Sequence, residues 1–150
     1  MIIRKARISD IKAVHNLINQ LAKKDEMLPR SLNELYENIR DYFICEDNGK
    51  IIGTAAIHIL WEDLAEVRSV AVAKEYQRLG IGKKLVGRCL REAKTIGVKQ
   101  VFALTYHPDF FNKMGFRDID KTGLPQKIWG DCLKCPKFPE CEEVAVIKRL

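Results

Sequence analysis

The sequence predicts an α/β fold with a mixed, mostly antiparallel central sheet and helices on its flanks. Short apolar runs typical of strands alternate with segments whose apolar residues recur at helical spacing. An Asn-Gly pair within Asp47–Lys50 separates two strand-like runs and predicts a tight antiparallel hairpin. At 64–93 a strand is followed by a glycine-containing basic turn and a helix. With 150 residues there is room for one core, so we expect a single domain, 1–150.

The elements before the hairpin begin with a strand at 2–7. Ser9 fits the N-cap of a first helix, whose apolar stripe continues to about Lys23. Ser31, with Glu34 three residues later, is a capping box and predicts a second, short helix.

The remaining elements form a strand meander, then a long helix, a buried strand, a short helix and two last strands. The long helix ends at Gly97, which fits the C′ position, and Pro108 fits the first position of the short helix. Gly53 predicts a bulge or a close backbone contact within its strand. The strands are predicted at 42–46, 51–60, 64–72, 101–105, 116–119 and 144–147.

Composition indicates a globular protein without membrane partners. Hydrophobic residues make up 47% and charged residues 31%, and the apolar runs are too short to cross a bilayer. No signal peptide is visible, so a cytoplasmic location is expected. The net charge of +6 fits either nucleic acid or a smaller anion such as a polyphosphate cofactor. Because basic residues are spread through the chain without an arginine-rich run, we predict the small anion and no nucleic-acid partner.

The basic turn reads Gln77-Arg78-Leu79-Gly80-Ile81-Gly82. Gly80 and Gly82 tolerate unusual backbone angles and leave room for a ligand at the backbone. The first amides of the following helix have no intrahelical partner and can hold phosphate oxygens. The turn matches neither the Walker loop nor the three-glycine dinucleotide motif. It does match the Gln/Arg-x-x-Gly-x-Gly/Ala loop with which acyl-CoA N-acyltransferases hold pyrophosphate.

The chain resembles the GNAT superfamily of N-acetyltransferases over nearly its whole length. The resemblance implies acetyl-CoA as donor, CoA as product and direct transfer in a ternary complex. It also implies that pantetheine lies along the open edge of the strand at 64–72, near its last three residues. The slot forms because this strand splays from the strand at 101–105. The predicted cofactor-binding residues are Val70, Ala71, Val72, Gln77, Arg78, Leu79, Gly80, Ile81, Gly82, Lys83, Phe110 and Phe111.

Acetyl transfer to an amine needs a base for the amine proton, backbone donors for the thioester oxygen and an acid for the thiolate. Glu66 is the candidate base, because members of the family often carry a strand carboxylate near this place. The alternative is a structural ion pair with Arg68, since residues two apart on a strand share a face. Phe111 occupies the position at which many members of the family have a tyrosine that acts as the general acid. Tyr106 is therefore the candidate acid, with His107, Ser69 or water as alternatives.

The acceptor is suggested by segments 65–72, 104–111 and 127–132, which are similar to the acetyltransferase domain of N-acetylglutamate synthases. The resemblance implies L-glutamate as the acceptor and a role in arginine biosynthesis. Arginine suits the bidentate capture of a carboxylate. The candidate substrate-binding residues are Arg68, Ser69 and Lys127, with Arg4 and Arg7 as alternatives. The alternative acceptor is another amino acid, a polyamine or a protein amine. A third hypothesis is a non-catalytic module that binds acyl-CoA. The fold commonly pairs, so a homodimer is possible.

The cysteines do not form a complete metal motif. Cys132, Cys135 and Cys141 supply three thiols, whereas a closed structural zinc site needs four ligands. His107 or Asp131 could complete the set only if the fold brought it close. The other interpretation is three thiols in a proline-containing loop, and no metal is predicted. Cys45 and Cys89 fit the apolar patterns of a strand and a helix and are expected in the core.

Overall fold

The computed structural model describes residues 1–24, 27, 29–124 and 143–150. Its strands are β1 (Ile2–Lys5), β2 (Tyr42–Asp47), β3 (Lys50–Trp61), β4 (Leu64–Val72), β5 (Gln100–Thr105), β6 (Arg117–Ile119) and β7 (Val144–Arg149). Its helices are α1 (Ile11–Ala22), α2 (Leu32–Glu37), α3 (Ile81–Ile96) and α4 (Pro108–Asn112). Short 3₁₀ turns lie at Ile8–Asp10, Ile39–Asp41, Lys74–Tyr76 and Lys121–Gly123.

The strands within the described residues form one seven-stranded sheet in the order β1-β2-β3-β4-β5-β7-β6. Every neighbouring pair is antiparallel except β4 and β5, which are parallel. This confirms the predicted mixed, mostly antiparallel sheet. The hairpin between β2 and β3 is also confirmed, because Asn48 and Gly49 both adopt positive φ angles, 49° and 80°.

The two faces of the sheet are covered by different helices. On one, the α3 face, α3 packs against β2, β3 and β4, and an apolar core that includes Leu85 and Phe111 fills the space. On the other, the α1 face, α1 packs against β3 and β4 over a second apolar cluster. Gly53 lies beneath α3, where an added Cβ would be 3.0 Å from Leu85 Cδ1 and 3.2 Å from Ile81 Cγ2. The close contact predicted at this glycine is therefore confirmed.

The predicted N-cap at Ser9 is wrong. Residues 8–10 form a 3₁₀ turn, and α1 begins only at Ile11. The carboxylate of Asp10 organises this turn, because Oδ2 accepts hydrogen bonds from the Arg7 amide at 2.7 Å and from Arg4 Nη1 at 2.8 Å. The buried Asp10 carboxylate, with one guanidinium donor and one backbone donor, therefore takes the place of the expected hydroxyl cap.

The N-cap at Ser31 and the C′ glycine at Gly97 are confirmed. Ser31 Oγ accepts a hydrogen bond from the Glu34 amide at 3.1 Å at the start of α2. Gly97 ends α3 with a left-handed φ of 108°. Cys45 and Cys89 are both buried in the core, whereas Cys132, Cys135 and Cys141 lie outside the described residues. Within the described ranges, no helix combines the length and apolar character needed to cross a membrane.

Candidate active site

The sheet opens between β4 and β5. Their parallel register covers only Leu64 with Gln100, Ala65 with Val101 and Glu66 with Phe102. Beyond these pairs both strands continue, but among the described residues no strand pairs with this side of β4 at 67–72. The result is a strand edge without a strand partner, which can accept an extended ligand by adding to the edge.

The predicted cofactor loop connects the end of this edge to α3. Tyr76 OH donates to Asp47 Oδ2 at 3.2 Å, and Gln77 Nε2 donates to the Val72 carbonyl at 3.0 Å. Arg78 and Gly80 adopt left-handed φ angles of 66° and 82°. These contacts and angles turn the chain sharply from β4 into the helix.

The first turn of α3 presents donors for an anion. The helical ladder begins with Lys84 N–H bonded to the Gly80 carbonyl, so the amides of 81–83 precede it. No side chain in the described part of the chain caps this helix start. Arg78 and Lys83 are exposed beside it. Amide donors, partial positive helix charge and two cations make a donor set that fits a diphosphate.

The remaining predicted cofactor-binding residues surround this turn in different ways. Leu79 is 59% exposed, whereas the Ile81 side chain is buried in the core and leaves only its backbone for a ligand. Phe110 lies against the helix start, since a Cβ on Gly82 would be 3.5 Å from its Cζ atom. Val70 and Val72 are half-buried on the α3 face, and the buried Ala71 lies on the α1 face.

A β-bulge interrupts β4 where its edge is open. Thr54 pairs with Ala71 and Ala56 with Arg68, so Ser69 and Val70 oppose Ala55 alone. Ser69 has a left-handed φ of 58°, which is uncommon for a residue other than glycine. Because of the extra residue, Arg68 and Ser69 both face the α1 side, where Tyr42 OH lies 3.1 Å from Ser69 Oγ.

Glu66 and Arg68 share the α1 face, as strand periodicity predicts. Arg68 Nη1 is 3.6 Å from Glu66 Oε1, and each side chain is only 9% exposed. The structure thus places Glu66, the candidate base, beside Arg68, the candidate for binding a substrate carboxylate. Directly across the ladder from Glu66 is His58, whose Nδ1 is 2.6 Å from Asp41 Oδ2.

Arg30 supplies a second guanidinium near Glu66 and Tyr42, and it is not among the residues predicted from the sequence. Asn19 fixes its backbone, accepting from the Arg30 amide at 3.3 Å and donating to the Arg30 carbonyl at 3.0 Å. Burial acts to lower the pKa of Arg30, but the nearby Tyr42, Glu66 and Glu34 side chains outweigh it and raise this pKa. The only sequence signal is its place just before the Ser31 cap, which does not indicate its proximity to β4.

Tyr42 completes the polar group on the α1 face. Burial raises the pKa of its phenol, while the Ser69 hydrogen bond and the positive charges of Arg30 and Arg68 act in the opposite direction. The net shift is upward, so the phenol is neutral at physiological pH. We define the β4 polar cluster as Arg30, Tyr42, Glu66, Arg68 and Ser69.

The remaining candidates, Phe111, Tyr106 and His107, lie in α4 and directly after β5. Phe111 lies in the core, 5% exposed, with its ring 5.0 Å from that of Phe110 and 5.2 Å from that of Phe116. Tyr106 is half-buried and directly follows the last residue of β5, and the exposed His107 donates its amide to Thr105 Oγ1 at 2.8 Å.

The basic alternatives for substrate binding differ in their surroundings. Arg4 is held by Asp10 and Glu46, with hydrogen bonds of 2.8 Å to each, and Arg7 is exposed. Lys127 and Asp131 lie outside the described residues. Within those that are described, no group of three or more His, Cys, Asp and Glu side chains could hold a metal ion.

Known acetyltransferases are similar to this chain in amino-acid sequence. The model of the acetyltransferase (GNAT) family matches residues 10–116. An uncharacterized N-acetyltransferase of Chlorobaculum tepidum is 40% identical over 99% of this chain and 96% of its own length. The amino-acid acetyltransferase of Mycobacterium tuberculosis is 35% identical over 87% of this chain and 76% of its own.

A solved structure shows the same fold at high similarity. The N-acetylglutamate synthase of Neisseria gonorrhoeae, complexed with coenzyme A and N-acetyl-glutamate, has a TM-score of 0.90 at 27% identity. The match covers 99% of this chain but only 35% of the synthase. A Mycobacterium tuberculosis protein solved with CoA has a TM-score of 0.86 at 28% identity, and the match covers 100% of this chain and 99% of that one.

Proposed function

The chain belongs to the GNAT acetyltransferase family, and we propose that this acetyl-CoA-dependent amino-acid N-acetyltransferase takes L-glutamate as its acceptor. One observation carries the proposal. A carboxylate and two guanidinium groups, those of Glu66, Arg68 and Arg30, are brought together on the α1 face where β4 separates from β5. A base and two carboxylate-binding groups are what an amino acid with two carboxylates requires.

Acetyl-CoA supplies the acetyl group as a thioester. The amides of 81–83, with Arg78 and Lys83, would hold its diphosphate at the start of α3. The open edge at 70–72 would receive pantetheine, and its amides would lie against the thioester oxygen. Phe110, next to Gly82, would pack against the chain of the cofactor.

Direct transfer forms one nitrogen–carbon bond and breaks one carbon–sulfur bond. The α-amine is protonated at neutral pH and must lose that proton before it attacks. Glu66 would accept it, directly or through a water molecule. A second proton leaves the nitrogen for solvent water as the amide forms, and the departing thiolate must gain one from a donor that then recovers a proton from solvent. Tyr106, at the end of β5 on the far side of the split, is the proposed donor.

Two arginines on different elements suit the two carboxylates of glutamate. Arg68 lies on β4 close to Glu66, so it would hold the α-carboxylate near the amine that reacts. Arg30 lies on the segment before α2 and would hold the side-chain carboxylate. Ser69 and Lys127 remain proposed as further substrate contacts. Guanidinium groups accept a planar carboxylate through two parallel hydrogen bonds, which also fixes its orientation.

Acceptor specificity tests the proposal. Thiol release from acetyl-CoA is measured with L-glutamate, L-glutamine, L-aspartate and a polyamine at equal concentrations. A charged hydrogen bond to the side-chain carboxylate predicts that kcat/KM for glutamate exceeds that for glutamine by about tenfold or more. Equal values for glutamate and glutamine, or a preference for the polyamine, would reject glutamate as the acceptor.

Action on glutamate would place the protein in arginine biosynthesis. A single domain over 1–150, a homodimer and a cytoplasmic location stay predictions. Analytical ultracentrifugation of the purified chain tests the homodimer, for which the expected result is a mass twice the 17.2 kDa of the chain.

A further inference from the structure

The bulge in β4 has a backbone conformation that its own sequence does not favour. Ser69 is held at a φ of 58°, in the left-handed region that glycine enters readily and serine does not. Such conformations persist only where neighbouring contacts enforce them. The bulge also lies at the open edge of β4, which is the part of the strand that the proposed function assigns to the acyl group.

One buried contact reaches Ser69 from elsewhere in the sheet. Tyr42 lies on β2, two strands away, and its register places it beside Ala56, which in turn lies beside Arg68. Its side chain therefore crosses β3 on the α1 face, and its hydroxyl is 3.1 Å from Ser69 Oγ. Tyr42 is only 2% exposed and packs in the apolar cluster under α1, so its ring is a rigid support.

We propose that Tyr42 is a positioning residue for acyl transfer. Its hydroxyl holds Ser69 in the left-handed conformation, and this conformation sets the direction of the strand edge at 70–72. The inference rests on the proposed function. Without the bulge, β4 would pair with β3 one residue out of its present register. Val70, Ala71 and Val72 would then exchange the faces to which they point. The amides of 70–72 would no longer present the same donors to the thioester oxygen.

Two other roles for this pair have different consequences. In one, the Ser69 hydroxyl itself donates a proton, so any residue without that hydroxyl is equally slow. In the other, Tyr42 acts on Arg30 and Arg68, whose charges lie close to its phenol. Its loss would then raise KM for the acceptor and would not be relieved by a change at Ser69.

The experiment compares Tyr42→Phe, Ser69→Ala, Ser69→Gly and the double variant Tyr42→Phe/Ser69→Gly. Glycine removes the hydroxyl as alanine does but adopts left-handed angles without strain. We expect Tyr42→Phe to lower kcat about tenfold, equivalent to about 1.4 kcal/mol of barrier, with KM for acetyl-CoA within about twofold. Ser69→Gly is expected to be at least about fivefold faster than Ser69→Ala. In the Ser69→Gly background, Tyr42→Phe should have little further effect on kcat.

The controls separate this inference from the proposed function. Tyr36→Phe removes a phenol hydroxyl from the exposed Tyr36 on α2 and is the matched control. Kinetics are run with whichever amino acid turns over fastest, so the result does not depend on glutamate. Equal rates for Ser69→Gly and Ser69→Ala, or an undiminished effect of Tyr42→Phe in the glycine background, would overturn the inference. A crystal structure of Tyr42→Phe needs no turnover: we expect φ of residue 69 to leave the left-handed region, and an unchanged bulge would refute the role.

Discussion

Replacing Arg30 by glutamine tests the proposed acceptor site most directly. The backbone at Arg30 is anchored by Asn19 through two hydrogen bonds that do not involve the guanidinium. The guanidinium has an ion pair with Glu34 at 3.3 Å, and Glu34 is 51% exposed. Removing the charge should therefore change what the site binds while leaving the local chain in place.

The expected size of the effect follows from these contacts. The i,i+4 pair with Glu34 is exposed on the Glu34 side and contributes roughly 0.3–0.5 kcal/mol, so its loss alone should lower the melting temperature by no more than about 2 °C. A charged hydrogen bond to a ligand carboxylate is worth roughly 1.5–3 kcal/mol. At about 1.4 kcal/mol per factor of ten, KM for glutamate should rise about 10- to 100-fold.

The assay is steady-state thiol release with glutamate varied at saturating acetyl-CoA, and then the reverse. KM for acetyl-CoA should stay within about twofold, because Arg30 lies on the α1 face and away from the cofactor loop. Arg91→Gln removes an equal charge from the exposed surface of α3 and should leave both KM values unchanged. An unchanged KM for glutamate in folded Arg30→Gln protein would refute the assignment of Arg30 to the acceptor.

Three further changes test other parts of the site and fold. Glu66→Gln should lower kcat/KM by roughly 10²–10⁴ and flatten the acidic limb of its pH profile; a profile near that of the wild type would remove Glu66 from the mechanism. Gly80→Ala meets no atom within 4 Å but strains a φ of 82°, so calorimetry should show CoA binding weakened about tenfold. Gly87→Ala, in equally open space within α3, should bind CoA normally. Asp10→Asn should cost about 2 kcal/mol of unfolding free energy at pH 7. The hydrogen bond from Arg4 lowers the pKa of Asp10, so its contribution is present above the ordinary 3.8 and disappears as pH falls through the lowered pKa. Urea titrations at pH 7 and pH 3 should therefore show the difference from wild type shrinking in acid, and a constant difference would contradict the argument.

The features that the sequence predicts correctly are those set by local chemistry. β4 has the predicted bounds, Leu64–Val72, because an apolar run there ends at turn residues on both sides. Gly97 ends α3 because few other residues adopt its left-handed angle. The common face of Glu66 and Arg68 follows from the two-residue period of a strand, since the bulge begins only after Arg68.

The missed features arise from contacts between distant segments. Arg30, Tyr42 and Glu66 are brought together by strand order and register, neither of which leaves a mark near Arg30 in the sequence. The bulge is occupied by Ser69, so no glycine indicates the left-handed residue there, as Gly80 does in the cofactor loop. Ser9 fits a cap by its residue type and by its place before the apolar stripe, whereas Asp10 takes that task because it accepts a hydrogen bond from Arg4, six residues earlier on β1.

Among the described strands β4 and β5 form the only parallel pair, and this pairing explains why the two halves of the site lie together. Parallel neighbours cannot be joined by a hairpin, so the chain must leave the end of β4, cross the sheet and re-enter at the start of β5. α3 makes this crossing, and its first turn must therefore lie at the end of β4. Pairing of β4 and β5 stops at Glu66 and Phe102, which leaves the edge between Glu66 and the helix start open. An extended chain laid along that edge would run from the amides of 81–83 at the start of α3 to the β4 polar cluster beside Glu66. Closing the split by extended pairing of β4 with β5 would therefore abolish transfer even if every site side chain were retained.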